Sequence, residues 1–125
     1  MKVFDFEHMP IIDIVNEILV DAVKKGASDI HFDPKDEYMQ VRFRIDGILT
    51  NYAVIKKEYT KNLITRIKIM ADMNITESRL PQDGSIKDTI KGIELDLRVA
   101  TLNTNDGEMI SLKLKMNFWN RGGGG

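Results

Sequence analysis

Asp29-Ile30-His31-Phe32-Asp33 sets two carboxylates and an imidazole at alternate positions, a spacing that turns all three to one side of an extended strand. Carboxylate and imidazole ligands together suit zinc or manganese. The same residues have a second reading. Arg42 and Arg44 alternate in the same way further along, and antiparallel pairing of the two segments sets Asp29 near Arg44. Opposite charges across a ladder stabilise pairing by about 0.2–1 kcal/mol each. The expectation is therefore a polar sheet face or an interface, and no metal site. Asn103-Thr104-Asn105-Asp106-Gly107-Glu108 has the polarity of a calcium loop. It lacks the alternating ligands and terminal bidentate glutamate of an EF-hand, so a hairpin loop is expected.

Other chemistries lack their residues. The chain has no G-x-x-x-x-G-K-[ST] phosphate loop, no G-x-G-x-x-G and no cysteine, and His8 and His31 are far apart in sequence. None of the 19 Asp and Glu residues has a neighbour that would raise one carboxyl above another for acid–base work. The seven methionines are spread as core filler rather than gathered in a stripe. A formal net charge of -1 argues against a nucleic-acid partner held by bulk charge. The absence of cysteine is compatible with a reducing cytoplasm. No apolar run approaches the ~20 residues that span a bilayer, and the first residues carry no secretory pattern. Contact with a membrane system would go through a partner.

The elements that would position these residues follow from periodicity. With 42% apolar and 30% charged residues, the chain has the balance of one soluble, globular domain. Ile11, Ile12, Val15, Ile18, Leu19, Ala22 and Val23 recur at helical spacing after Pro10, and Gly26 is a stop, which predicts a helix over 11–25. Residues 28–33, 39–45 and 48–55 alternate as strands, the last two joined at Asp46-Gly47. Closing that hairpin at Ile45–Ile48 pairs Phe43 with Thr50 and Val41 with Tyr52. A second helix is expected over Glu58–Met73, a connection over 74–81 and a turn at Asp83-Gly84. Residues 86–90 and 93–102 flank Lys91-Gly92 as a second hairpin. Closing it at Ile90–Ile93 sets Ile86 opposite Leu97, Lys87 opposite Asp96 and Ser85 opposite Arg98. Met109–Lys115 is the last strand. The order helix, three strands, helix, three strands predicts an α+β domain with a largely antiparallel sheet and helices on one face. Residues 1–9 read as a lead-in, 10–116 as the domain and 117–125, with its run of four glycines, as a tail or linker.

Five segments then carry a resemblance. Gly26-Ala27-Ser28-Asp29-Ile30-His31-Phe32-Asp33-Pro34 resembles the "GASDIHIEP" segment of the ATPases of type II secretion and type IV pilus assembly. Val41 to Gly47 resembles their "VRYRIDG", Arg66 to Ala71 their "RIKIMA", and Arg79-Leu80-Pro81-Gln82-Asp83-Gly84 their "RLPQDG". Leu95 to Leu102 resembles "VDLRVSTL", and Gly107-Glu108 falls at the family's "GE". The similarity runs in order from about Pro10 to Met116.

This resemblance implies a PAS-like N-terminal domain, non-catalytic by itself, joined to a RecA-like ATPase domain absent from this chain. It implies a hexameric parent that uses ATP and Mg. The domain's partners would be its own C-terminal ATPase domain, the neighbouring subunit and, through the parent, inner-membrane pilus or secretion platform proteins. The location would be cytoplasmic, peripheral to the inner membrane. Arg98 and Arg79 are the candidates for nucleotide contact, with Ser85 standing where the family has an arginine in "PQDGR". The "STLPT" segment is altered to Ala100-Thr101-Leu102-Asn103-Thr104. An alternative is a stand-alone PAS-like sensory or protein-binding module; an independent enzyme has no catalytic signature behind it.

Overall fold

The computed structural model describes residues 1–115. Met116 and the expected tail, 117–125, lie outside the described residues. The elements are α1 (Ile11–Lys24), β1 (Asp29–Pro34), β2 (Tyr38–Ile45), β3 (Ile48–Lys56), α2 (Lys57–Met70), β4 (Gln82–Ile90), β5 (Ile93–Thr104) and β6 (Gly107–Leu114). All six strands form one antiparallel sheet in the order β3-β2-β1-β6-β5-β4. The α+β class expected from the pattern is the class observed.

One sheet face is buried. Ile30, Phe32, Met39, Val41, Phe43, Leu97, Val99, Ile110 and Leu112 share a single core with Ile14, Ile18 and Leu19 of α1 and Leu63 and Ile67 of α2. The alternate residues on the same strands, Asp29, His31, Arg42, Arg98 and Lys113 among them, make the opposite face. Both helices thus cover the apolar side, because period-2 strands offer only one such side.

Both two-residue turns expected from the sequence form as their chemistry requires. Asp46 and Gly47, and Lys91 and Gly92, all take positive φ. The registers that follow are Phe43↔Thr50, Ile86↔Leu97, Lys87↔Asp96 and Ser85↔Arg98, as expected. Asp29 also pairs with Arg44.

Other expectations need correction. Val41 pairs with Ala53, not Tyr52, because the β2–β3 register shifts between Val41 and Arg42. Tyr52 and Ala53 are both buried, which strict alternation cannot deliver, and a bulge supplies the extra residue. The bulge lets the Tyr52 ring stack on Phe43 at a centroid distance of 4.2 Å, while its hydroxyl donates to Asp21 of α1. Helix α2 ends at Met70, three residues early, where Asp72 turns left-handed at φ 56°. The polar connection after β5 is also shorter than expected, since the strands run to Thr104 and resume at Gly107.

The first nine residues are more than a lead-in. The Lys2 amide donates to the Tyr52 carbonyl at 2.8 Å, and Phe4 is buried in the core. Phe6 stacks on Tyr59 of α2 at 4.5 Å, and Lys2 Nζ reaches Glu17 of α1 at 3.0 Å. The segment straps β3 to both helices.

Burial, and then the bond to Asp21, hold the Tyr52 phenol above its ordinary value of 10.0. A raised phenol contributes stability that is complete below the unfolded pKa and is lost as pH rises above it. The expected result is an extra fall in melting temperature above about pH 10 that Tyr52→Phe removes. Thermal melts of both proteins from pH 8 to 11.5 check it; parallel curves would contradict the account.

Candidate functional site

Residues 71–85 join the core to the open sheet face. Asp83-Gly84, expected as a turn, lies inside β4, with Asp83↔Ala100 and Gly84↔Val99 in register. Its glycine serves a different need from that of Gly47. A Cβ at Gly84 would come within 2.8 Å of the Ala71 carbonyl oxygen and 3.0 Å of Met73 Cε. The end of α2 packs directly on the strand backbone, and only a residue without a side chain admits it.

The preceding connection is held by side chains from three of the resembling segments. Lys68, 1% exposed, donates to the Glu77 carbonyl at 2.6 Å and to Glu108 Oε1 at 2.8 Å. Gln82 Oε1 accepts from the Asn74 amide at 2.9 Å, and its Nε2 donates to the Asn74 carbonyl at 3.0 Å. The Glu77 carboxylate accepts from the Arg79 amide at 2.8 Å and the Leu80 amide at 3.1 Å. Those backbone bonds hold its carboxyl below the usual value. The Lys68–Glu108 pair was not foreseen: the helical phase of Lys68, four residues after Ile64 and three before Ala71, was the one signal, and nothing local pointed to Glu108.

Arg98 and Ser85 are exposed and directly opposite one another. The next residue along this row is Lys113, then Asp29, then Arg44. Asp29 sits 3.7 Å from Arg44 and accepts from Ser28 Oγ at 2.6 Å. Among the described residues neither Arg98 nor Lys113 has an ion-pair partner. Two adjacent cations therefore face solvent beside Ser85, an arrangement suited to an anion. Lys113 was missed in the sequence, although the turn at Asn105-Asp106 would have placed it by register. Arg79 is exposed on the connection, and no hydrogen bond joins it to Arg98 or Ser85.

The parallel row holds Asp83, Ala100, Ser111, His31 and Arg42. Arg42 is paired with Asp33, so both carboxylates flanking His31 are engaged by arginines. The described residues contain no group of three or more His, Cys, Asp or Glu able to hold a metal ion. In the Thr104–Gly107 turn, Thr104 Oγ1 donates to the Gly107 carbonyl at 2.7 Å and accepts from the Asp106 amide. Glu108 turns inward to Lys68, away from any loop cation.

Comparison with known proteins gives the same direction. The family model described as "Type II/IV secretion system protein" matches residues 5–118. Type II secretion system protein E of Pseudomonas aeruginosa is 44% identical over 105 residues, which are 84% of this chain and 21% of that protein. Type II secretion system ATPase E of Vibrio cholerae is 39% identical over 105 residues, with the same shares. The "protein transport protein HofB homolog" of Haemophilus influenzae is 44% identical over 110 residues, 86% of this chain and 24% of that protein. The match thus spans about a fifth to a quarter of the length of these relatives.

Proposed function

The chain belongs to the Type II/IV secretion system protein family, and from that premise we propose that it is the N-terminal, nucleotide-contacting and assembly domain of an ATPase. The parent would be a hexamer powering type II secretion or type IV pilus assembly. The observation that carries this reading is the unpaired Arg98 on the open sheet face, opposite Ser85 and next to Lys113. An adjoining ATPase core, of the same or the neighbouring subunit, meets this face. Arg98 then donates to the phosphates of an ATP held with Mg by that core. Arg79 approaches from the connection that Lys68 and Gln82 hold in place.

In this reading the domain positions charge and does no bond chemistry. The chain has no phosphate loop, whose backbone amides and lysine would cradle the phosphates. The polar sheet face supports docking to a protein surface, and platform proteins of the inner membrane would be reached through the parent. No helix among the described residues is long and apolar enough to cross a membrane. The working location is the cytoplasmic side.

Arg98→Ala in the full-length protein is expected to lower ATP turnover about tenfold, the scale of one lost charge-assisted hydrogen bond. This domain's stability should change by less than about 0.5 kcal/mol, since the side chain is exposed. Ser85→Arg, which restores a second guanidinium, is expected to tighten ATP binding. Steady-state kinetics and thermal melts on the same preparations decide it. Wild-type turnover in Arg98→Ala, or lost turnover that merely tracks unfolding, removes the nucleotide role.

A further inference from the structure

The Lys68–Glu108 pair also lines a cleft of about 710 Å³ between α2, the β5–β6 turn and the connection after α2. That volume lies within the range of small-molecule sites. The lining combines two chemistries. Tyr38, Ile64 and Ile75 give it apolar surface, and Tyr38 and Ile75 are exposed there. Lys35, Lys57 and Lys61 stand around it, all exposed, and outnumber the one exposed carboxylate of the lining, Asp106. Among the described residues no carboxylate pairs with any of the three. Lys57 Nζ donates to the Asp36 carbonyl at 2.8 Å, which holds its position and leaves its charge uncompensated. At the inner wall the Glu108 side chain is only 10% exposed, and its Oε2 is buried without a hydrogen-bond partner. A carboxylate oxygen in that state calls for a donor.

We propose that this cleft binds a nucleotide-class ligand, a small molecule carrying both phosphate and a planar, amino-bearing ring. The three lysines take the phosphate oxygens as compact point charges. Tyr38, Ile64 and Ile75 cover a ring face. Glu108 Oε2 is closed to solvent, so a ring amino group at the inner wall supplies its missing N–H once that side chain turns toward the cleft. Neither half of the cleft suits a simpler ligand as well: an inorganic anion leaves the apolar surface wet, and a neutral ring leaves the cations unused. Helix α2 lies on the sheet face opposite Arg98, so this site is separate from the Arg98 row and stands without it. Ile75, Thr76 and Ser78 line the cleft and belong to the connection that carries Arg79, so an occupied cleft bears directly on that segment.

The test is a titration of the ¹⁵N-labelled chain followed by amide shifts, with ATP, adenosine and inorganic tripolyphosphate as separate probes. ATP is expected to move Thr65, Thr76, Ser78 and Gly107 and to bind at least about tenfold more tightly than either fragment, since it alone uses both halves of the cleft. The joint variant Lys57→Ala, Lys61→Ala, both exposed positions, should weaken ATP by about tenfold or more, and added salt should do the same. Arg98→Ala should leave this binding unchanged. Shifts confined to Ser85, Arg98 and Lys113 would overturn the cleft while favouring the Arg98 row. No shifts at about 10 mM ATP, tripolyphosphate binding as tight as ATP, or unaltered affinity in the lysine variant would each overturn it. So would an acidic peptide that binds the cleft where ATP does not.

Discussion

Lys68→Ala is expected to destabilise this chain by about 3–5 kcal/mol, the cost of removing one partner of a buried ion pair. For a domain of this size that lowers the melting temperature by roughly 12–20 °C. Lys68 is 1% exposed, and its ammonium is shared between the Glu77 carbonyl at 2.6 Å and Glu108 Oε1 at 2.8 Å. Its loss strands a carboxylate that is itself nine-tenths buried and already has one oxygen without a partner. Uncharged replacement of both partners, Lys68→Met with Glu108→Leu, should recover most of the loss, because an apolar pair leaves no orphaned charge. The connection should also loosen in the single variant, so the amides of Arg79 and Leu80 should exchange faster with solvent. A single variant that melts within a few degrees of the parent protein would show that the pair does not hold the connection.

Gly84→Val is expected to cost about 2–3 kcal/mol, at the upper end for forcing extra volume into a packed site. Its Cβ would lie 2.8 Å from a backbone oxygen, that of Ala71, which cannot swing aside as a side chain would. Ala71 is buried, and the Asp72 amide after it is bonded to the Ile69 carbonyl at 3.1 Å, so the helix end has little room to retreat. Ser85→Ala, one residue on and exposed, should change stability by less than about 0.5 kcal/mol and serves as the control. Urea unfolding of the two variants measures the contrast, and equal midpoints would remove the close approach as the reason for this glycine.

Two of the three Asp-Gly pairs show where sequence reasoning holds and where it stops. At 46–47 the dipeptide sits between two alternating runs, and the turn it forms fixes the face of Phe43 and its neighbours. At 83–84 the same letters lie within a strand, and the glycine answers to a helix end that local sequence does not disclose. The Ser85–Arg98 pairing was legible because Lys91-Gly92 sets the register and alternation sets the face. Lys68 was half legible. Four residues after Ile64 and three before Ala71, it falls on the apolar stripe of α2, but nothing local names its partner, forty residues away in the chain. Tyr52 was half legible: four consecutive apolar residues, Tyr52 to Ile55, already signal that alternation breaks, though not which residue is left unpaired. The buried Phe4 shows the same limit, since a lone aromatic in a short segment has no period to betray its destination.

The strand order has a consequence for how the chain reaches its fold. The β2–β3, β4–β5 and β5–β6 pairs are each local in sequence and need only a short loop to close. The central β1–β6 ladder, with Ile30 against Leu112 and Phe32 against Ile110, joins opposite ends of the domain. Such a distant pairing carries the largest loop-closure cost and comes late. On a ribosome the early half therefore emerges with the β6 side of β1 unpaired and Ile30 and Phe32 only partly covered. That edge stays open to wrong partners until residue 114 has cleared the exit tunnel, and the period before β6 arrives is when this chain most needs a chaperone.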